Sequence, residues 1–398
     1  MRILLISEAA PYLPCRDGFR LLLGSLIREL SARHEIHLIA MSDGGESETQ
    51  ANWPRRYCRS CVTIRPAGGI SAKFRALSGA ADPALEAAAS EALRTTAPSV
   101  MHAEGPSLAS LLRGKPQSVA KVLCVHDSKS MRYREFARYQ PQPLARARLS
   151  LMAAIARRQE RRWFRYADRV VVTSPDDASA LGGVLPPACL AVIPSGIDLE
   201  HFACEPAPEA GKIVFTGNMS WPPNEDAVAY FAAEVFPKIL KRVPGASFWI
   251  AGAEPSERVR LLARMSGVHV TGAVPDLRPW LRSASVFVSP MRFGGGVKIK
   301  VLEAMASGAP IVSTSKSLSA TPLIDGKEAL IADHADAMAD AVAQLLLDPE
   351  RGRALSIEAR KKVESEYGWP QIAARFERLY GEVIAEHSLP TRSNIPSR

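Results

Sequence analysis

No apolar run in the 398-residue sequence approaches the roughly 18 residues needed to cross a bilayer, so a membrane-spanning helix is excluded. The N-terminal stretch MRILLISEAAPYLP is too short in its apolar part for a signal peptide. It reads as a first β-strand, Ile3–Ser7, and the expected location is the cytoplasm. Six cysteines in so long a chain do not make a disulfide framework. Cys58-x-x-Cys61 has no second CxxC and no histidine pair nearby, so it reads as a plain loop rather than a zinc or redox site. No acidic pair of metal-ligand type stands out, and no metal is expected. No repeat of 20–50 residues is visible, and no aromatic-rich reading module accompanies the basic charge, which argues against nucleic acid.

What is there is a globular composition, 47% hydrophobic and 23% charged, in a chain too long for one ordinary core. Two domains of about 150–200 residues are the natural division. The net charge of +9 favours anionic partners such as nucleotide phosphates or anionic lipid. The first half alternates strands with helices: Ile3–Ser7, Glu35–Ala40, Ser99–His102, Val119–Val125, Val170–Thr173 and Leu190–Ile193 read as strands, and Phe19–Ala32 and Leu85–Thr96 as helices. Such alternation implies a parallel sheet covered on both faces. The loop from Glu8 to Arg20 carries Asp17-Gly18 at the carboxyl end of the first strand, where open α/β sheets bind ligands. Gly18 either lets the backbone approach a ligand closely or merely starts the helix. His102 and His126 sit at strand ends; His126, followed by Asp127, is the stronger candidate for a catalytic acid, base or hydrogen-bond donor. His102 and its neighbour Glu104 read equally well as packed structural groups.

Residues 144–168 are the most basic segment, with seven arginines between Arg146 and Arg165 mixed with Leu149, Met152, Ile155, Trp163 and Phe164. Two readings stand: a partly buried helix with a solvated arginine face, or a basic amphipathic helix that touches anionic membrane. A Pro-, Glu- and Ala-rich stretch ending at Gly211 reads as an interdomain linker. A second α/β series follows, with a strand at Lys212–Thr216, a turn through Gly217 and Asn218, a helix over Asp226–Leu240 and strands at Ser247–Ala251 and Val268–Thr271. Helices close the chain at Ala335–Leu347, Arg351–Tyr367 and Pro370–Glu386, before a polar tail over 388–398.

The stretch around which the chain is organised is Pro290 to Ser315. A buried strand leads into Arg292 and the glycines Gly294, Gly295 and Gly296; a helix with Lys298, Lys300 and Glu303 follows, and Gly308 stops it. A strand, a glycine turn and a helix start with cationic side chains make an anion site, since free backbone N–H groups and the helix dipole face whatever lies over the turn. Glu303 is placed to accept hydrogen bonds from sugar hydroxyls. Lys300 and Glu303, three apart, also fit a simple intrahelical ion pair.

The motifs IPSGID (193–198), FTGNMSWPPNEDAV (215–228), IAGAEP (250–255), the run from Val270 to Thr314 and the late YGW (367–369) together resemble GT-B glycosyltransferases of the GT4 type, sugar transferases of bacterial polysaccharide assembly. The resemblance implies two Rossmann-like domains with parallel sheets facing across a cleft. Residues 1–198 are then the acceptor-side domain, 199–370 the donor domain, 371–387 a helix packing back on the first domain and 388–398 a flexible tail. It implies transfer of a sugar, with retention, from a nucleotide-sugar to a polysaccharide, lipid-linked or other acceptor, the nucleotide-sugar being substrate and no cofactor being required. By position, Glu303 matches the second glutamate of the family's pair, the one expected near ribose; the first is replaced by Gly295. The turn after the first strand of the second domain offers uncharged Asn218 and Asn224 where the family often has an arginine and a lysine. Arg292, Lys298 and Lys300 then supply the cations, His126 resembles the histidine that contacts the donor sugar, and Gly18 matches the glycine loop facing the diphosphate.

Two other functions stand beside this one: a catalytically impaired partner or scaffold in a polysaccharide assembly complex, which the departures at Gly295 and Asn218 motivate, and a nucleotide-sugar epimerase on the same fold, which needs further acid/base carboxylates.

Overall fold

The computed structural model describes residues 1–15, 18–42, 44–66, 75 and 77–388. Asp17 of the proposed ligand loop and the tail from 389 lie outside the described residues. The chain divides into two compact units. The first comprises residues up to Ala137, Pro141–Ile193 and the chain from Trp369 onward; the second comprises Arg138–Gln140 and Pro194–Gly368.

The first unit is built on strands β1 (Arg2–Ser7), β2 (Glu35–Met41), β3 (Ser60–Ile64), β4 (Val100–Glu104), β5 (Ala120–His126), β6 (Arg169–Val172) and β7 (Leu190–Val192). They pair in the order β3-β2-β1-β4-β5-β6-β7, all parallel. Continuous apolar strands such as β1 and β4 are what a sheet buried on both faces requires. One face is covered by Leu23, Leu26, Ile27 and Leu30 of helix Gly18–Ser31 together with Ile372, Phe376, Tyr380 and Val383 of the C-terminal helix Trp369–Ser388. The other face takes Leu85, Leu108, Leu111, Trp163 and Phe164. The sequence order reverses between β1 and β4, and ligands of open α/β sheets bind outside the strand ends at such a reversal.

The second unit repeats the plan with β8 (Lys212–Thr216), β9 (Ser247–Ala251), β10 (Val268–Gly272), β11 (Val286–Ser289), β12 (Ile311–Ser313) and β13 (Leu330–Ile331). The order is β10-β9-β8-β11-β12-β13, again all parallel, and here the reversal lies between β8 and β11. The turn after β8 and the glycine stretch after β11 are therefore neighbours, though some 80 residues apart in sequence.

Several expectations are corrected. Cys61 is not in a loop: it lies on β3, paired with Leu38 of β2. Cys58 is buried, which pushes its thiol up to about 12. The stretch before Gly211 is not a free linker, because Ala207 and Glu209 donate backbone hydrogen bonds to Arg282 and Ser283 of the second unit. The long helix over Asp226–Leu240 is interrupted by a π-helical segment, Phe231–Val235, just before Pro237. Proline removes one N–H from the helical ladder and crowds the carbonyl four residues back, so the widened turn is where it is accommodated. The basic segment forms helix Pro143–Trp163, and the side chains it buries are Ala153, Ala156, Glu160 and Trp163, while Leu144 and Leu151 are exposed. Glu160 turns inward to accept hydrogen bonds from Ser128 and Ser130.

Candidate active site

In the second unit, Gly217 follows β8 and packs against Asn224 and Lys300. The packing leaves no room for a side chain there: a Cβ would stand 2.8 Å from Asn224 Nδ2 and 3.1 Å from Lys300 Nζ. Lys300, on helix Ile299–Ser307, is buried, and its ammonium donates to Asn224 Oδ1 at 2.5 Å and lies 4.0 Å from the centre of the Phe215 ring. Burial, with Lys298 adding to it, drives its pKa well below the ordinary value. Among the described residues no carboxylate is in ion-pair contact with it. The intrahelical pair with Glu303 is therefore not formed.

Glu303 is half-buried one turn into the same helix. Loss of water raises its pKa to about 7, against the smaller opposing pull of Lys300. Lys298 serves the turn itself: its ammonium donates to the carbonyls of Gly294, Gly295 and Gly296 at 2.9, 2.9 and 3.0 Å. Three converging carbonyls make a small anionic cup, and a lysine at the helix start closes it. The turn needs its glycine at 294, where φ is +110°, a conformation side chains rarely adopt. Arg292 reaches Asp226 through both Nε (2.8 Å) and its terminal nitrogen, and lies over the Tyr230 ring at 4.8 Å. Asn218 is engaged with Glu254, which accepts from its amide at 3.0 Å, and its own Oδ1 accepts from Ser220. Glu254 has φ of +54°, an uncommon backbone state for a non-glycine residue.

In the first unit, His126 ends β5, also with a positive φ, +55°. Thr173 holds this backbone in place, its N–H and hydroxyl both donating to the His126 carbonyl. Strain of this kind persists only where surrounding structure fixes it, and it concentrates at functional sites. His126 Nε2 lies 2.5 Å from Glu104 Oε1, and the other carboxylate oxygen is 2.8 Å from His102 Nε2. Two imidazoles hold the buried Glu104 carboxylate down to about 2 against the desolvation that would raise it. The same contact raises His126 above its ordinary value, although burial opposes it. Cys124 Sγ lies within 4.8 Å of donor atoms of His102 and Glu104. Burial drives its thiol well up, and both His102 nitrogens already have hydrogen-bond partners.

Gly18 is the first residue of helix Gly18–Ser31, and Phe19 beside it meets the His126 ring edge-on at 5.3 Å. Gly18 and His126 thus belong to the same end of the first sheet. Lys300, Glu303 and the three glycines belong to the corresponding end of the second. Glu104 was legible as a strand-end carboxylate. Tyr380 and Asp226 gave no signal, because nothing in their local sequence tells what they face. Asn224 showed only as an uncharged residue in the place of a cation.

Each unit is a doubly wound parallel sheet with its polar and charged groups gathered where the strand order reverses, the organisation of a GT-B glycosyltransferase. The Glycosyltransferase Family 4 model matches residues 18–201 and the Glycosyl transferases group 1 model residues 210–348. The chain belongs to this family of glycosyltransferases. It is 31% identical over 224 residues to the GDP-mannose-dependent alpha-(1-6)-phosphatidylinositol monomannoside mannosyltransferase of Mycobacterium tuberculosis, covering 50% of this chain and 56% of that one. It is 29% identical over 202 residues to the phosphatidyl-myo-inositol mannosyltransferase of Mycolicibacterium smegmatis, covering 48% and 51%. The chain thus spans about half the length of the curated relatives it matches. Among solved structures, sucrose-phosphate synthase from Thermosynechococcus elongatus superposes with a TM-score of 0.71 at 17% identity, over 97% of this chain and all of that one. Anabaena HepE in complex with UDP gives 0.66 at 11%, over 96% of this chain and 100% of that one. At these identities the likeness shows the fold.

Proposed function

We propose that the protein transfers a sugar, with retention at the anomeric carbon, from a nucleotide-sugar to a saccharide or lipid-linked acceptor. The observation that carries this reading is Lys300: a buried ammonium beside a glycine turn and a helix start, with a neutral amide as its hydrogen-bond partner. A buried charge without a counter-charge is costly, and an anion over the turn removes the cost. As the bond from the anomeric carbon to the diphosphate breaks, negative charge grows on the departing phosphate oxygen, and a cation already in place stabilises it without reorganisation. Glu303, in this reading, accepts from the ribose hydroxyls. Arg292 and Lys298 then act less directly, Arg292 as a partner of Asp226 and Lys298 as the clasp of the glycine turn. Asn218 shapes the turn after β8. In the first unit, Gly18 faces the diphosphate and His126 the donor sugar.

The relatives' names support a nucleotide-sugar donor and a lipid-linked acceptor, and GDP-mannose is the first donor to try. Among the described residues no helix is long and apolar enough to cross a membrane. The helix Pro143–Trp163 exposes Arg158, Arg161 and Arg162 together with Leu144 and Leu151. That combination supports peripheral contact with anionic membrane at a cytoplasmic face. A thermal-shift screen of nucleotide-sugars tests the donor, since a ligand that binds only the folded state raises apparent stability. Stabilisation by one nucleotide-sugar, followed by its turnover with an acceptor, is the result expected. Stabilisation without any turnover or hydrolysis would favour the scaffold reading, and no response to any nucleoside diphosphate would remove the enzyme reading. Co-sedimentation with anionic vesicles, lost when Arg157, Arg158, Arg161 and Arg162 are replaced together, is the matching test of membrane contact.

A further inference from the structure

The polar groups beneath His126 form a chain. Tyr380 Oη, from the C-terminal helix, is 2.6 Å from His102 Nδ1, and His102 Nε2 is 2.8 Å from Glu104 Oε2. Glu104 Oε1 is 2.5 Å from His126 Nε2. Tyr380 and His102 are completely buried, and Glu104 is 2% exposed. Hydrogen-bond valence then fixes the protons. An ionised carboxylate only accepts, so His102 turns its Nε2–H to Glu104, while His126 Nε2 stands in ion-pair contact with Oε1 without an aligned hydrogen bond. With Nε2 the donor, the His102 tautomer that leaves Nδ1 as an acceptor takes the Tyr380 hydroxyl as its donor. Tyr380 stays protonated, burial and the nearby carboxylate driving its pKa well up. His126 Nδ1 is the ring nitrogen of this residue that is not turned to Glu104.

The geometry points to Glu104, His102 and Tyr380 as positioning residues for His126, a buried relay that fixes its ring and tautomer and makes the C-terminal helix part of the site. Catalytic groups gain from such fixation because a misplaced or wrongly protonated imidazole loses most of its effect. His126 is flanked by other charges as well. Asp127 lies beside it on the chain, Glu8 in the loop after β1, and both add to the pull of Glu104; Arg132 neutralises Asp127 at 3.0 Å. Helix Gly18–Ser31 contributes the uncharged Phe19 edge, and β5 the protonated Cys124. Glu104 is the carboxylate in direct contact, so its removal is the change His126 should feel most.

The inference rests on the sugar-transfer reading for its kinetic arm only. The direct test is the NMR titration of the His126 ring in the full chain without substrate, in wild type, Glu104→Gln and Tyr380→Phe. Glu104→Gln should lower the His126 pKa, and Tyr380→Phe should shift it less and in the opposite direction, because a His102 without its donor binds the Glu104 carboxylate more weakly and leaves more charge facing His126. With an active nucleotide-sugar, Tyr380→Phe should cut kcat about tenfold at unchanged KM for the donor and move the pH profile. Glu104→Asp should recover part of what Glu104→Gln loses. A His126 titration identical in wild type and both variants overturns the relay whatever the activity. If Glu104→Gln does not fold, Tyr380→Phe decides alone, and an unmoved pH profile overturns the inference. A shifted titration in a protein that turns over no nucleotide-sugar would sustain the relay and sink the transfer reading instead.

Discussion

The two sheet reversals carry opposite electrostatics. In the first unit the buried carboxylate of Glu104 is closed on both sides by imidazoles, and the group ends in a tyrosine that needs nothing more. In the second, the buried ammonium of Lys300 has an amide for company, and the half-buried Glu303 has its pKa raised rather than lowered. One arrangement has its carboxylate paired in the free protein; the other, in the sugar-transfer reading, gains its counter-charge from the anion it binds. A site that must hold a side chain at a fixed angle gains from the first kind. One that must capture a diphosphate gains from the second, because the cost of burying the cation is recovered on binding.

The sharpest way to break this contrast is Lys300→Met, which keeps the length of the side chain and removes the charge. Nucleoside diphosphate affinity should fall at least about 100-fold, some 2.7 kcal/mol, in calorimetry. The same variant should be as stable as wild type or more so without ligand, since an uncompensated buried cation disappears. A Lys300→Met protein that melts earlier and still binds nucleotide would show that Lys300 is structural.

Next in size is Glu303→Gln, expected to lower turnover at least tenfold, or roughly 1.4 kcal/mol of barrier. Its pH signature separates the units further. Glu303 has a folded pKa of about 7, above its ordinary 4.5, so the fold favours its neutral form. Its ionisation therefore takes stability away as pH rises from 4.5 through 7, and Glu303→Gln should flatten the melting temperature over that window. Glu104 runs the other way. With a folded pKa of about 2, it contributes stability that is present above 4.5 and lost as pH falls toward 2. Circular dichroism melts across pH 3–8 for both proteins read the two signs directly.

His126→Ala follows, and should reduce turnover more than nucleotide affinity, because in this reading the residue meets the donor sugar rather than the nucleotide. Unchanged turnover would remove His126 from the catalytic groups.

The architecture was legible because strand–helix alternation and continuous apolar strands leave few alternatives for chains such as Ile3–Ser7 or Ala284–Ser289. The glycine turn and the lysines were legible as a cluster for the same reason, being contiguous. What each lysine does was not. Lys298 and Lys300 are two residues apart, yet one donates to its own turn and the other reaches Asn224, 76 positions away. That divergence depends on which strand lies next to which, a matter of sheet order rather than local pattern. The same applies to Tyr380, which joins His102 across 278 residues through the packing of the last helix. The π-helical segment before Pro237 and the strand at Ser60–Ile64 went unread because neither changes the apolar period much.

Arg292 sharpens the comparison most finely, since its sequence position suggested a direct phosphate ligand while its guanidinium is already paired with Asp226. If the pair persists on binding, Arg292→Ala should weaken nucleotide affinity only about threefold, the scale of a partly exposed ion pair and its contact with Tyr230. Asp226→Asn then distinguishes the two roles. Releasing Arg292 from its carboxylate should strengthen nucleotide binding if the arginine turns to the diphosphate, and leave it unchanged if the pair only braces the helix against the glycine turn. A loss of 100-fold or more in Arg292→Ala would place the arginine beside Lys300 as a primary ligand, and would mean that the second unit rearranges its cations when the anion enters.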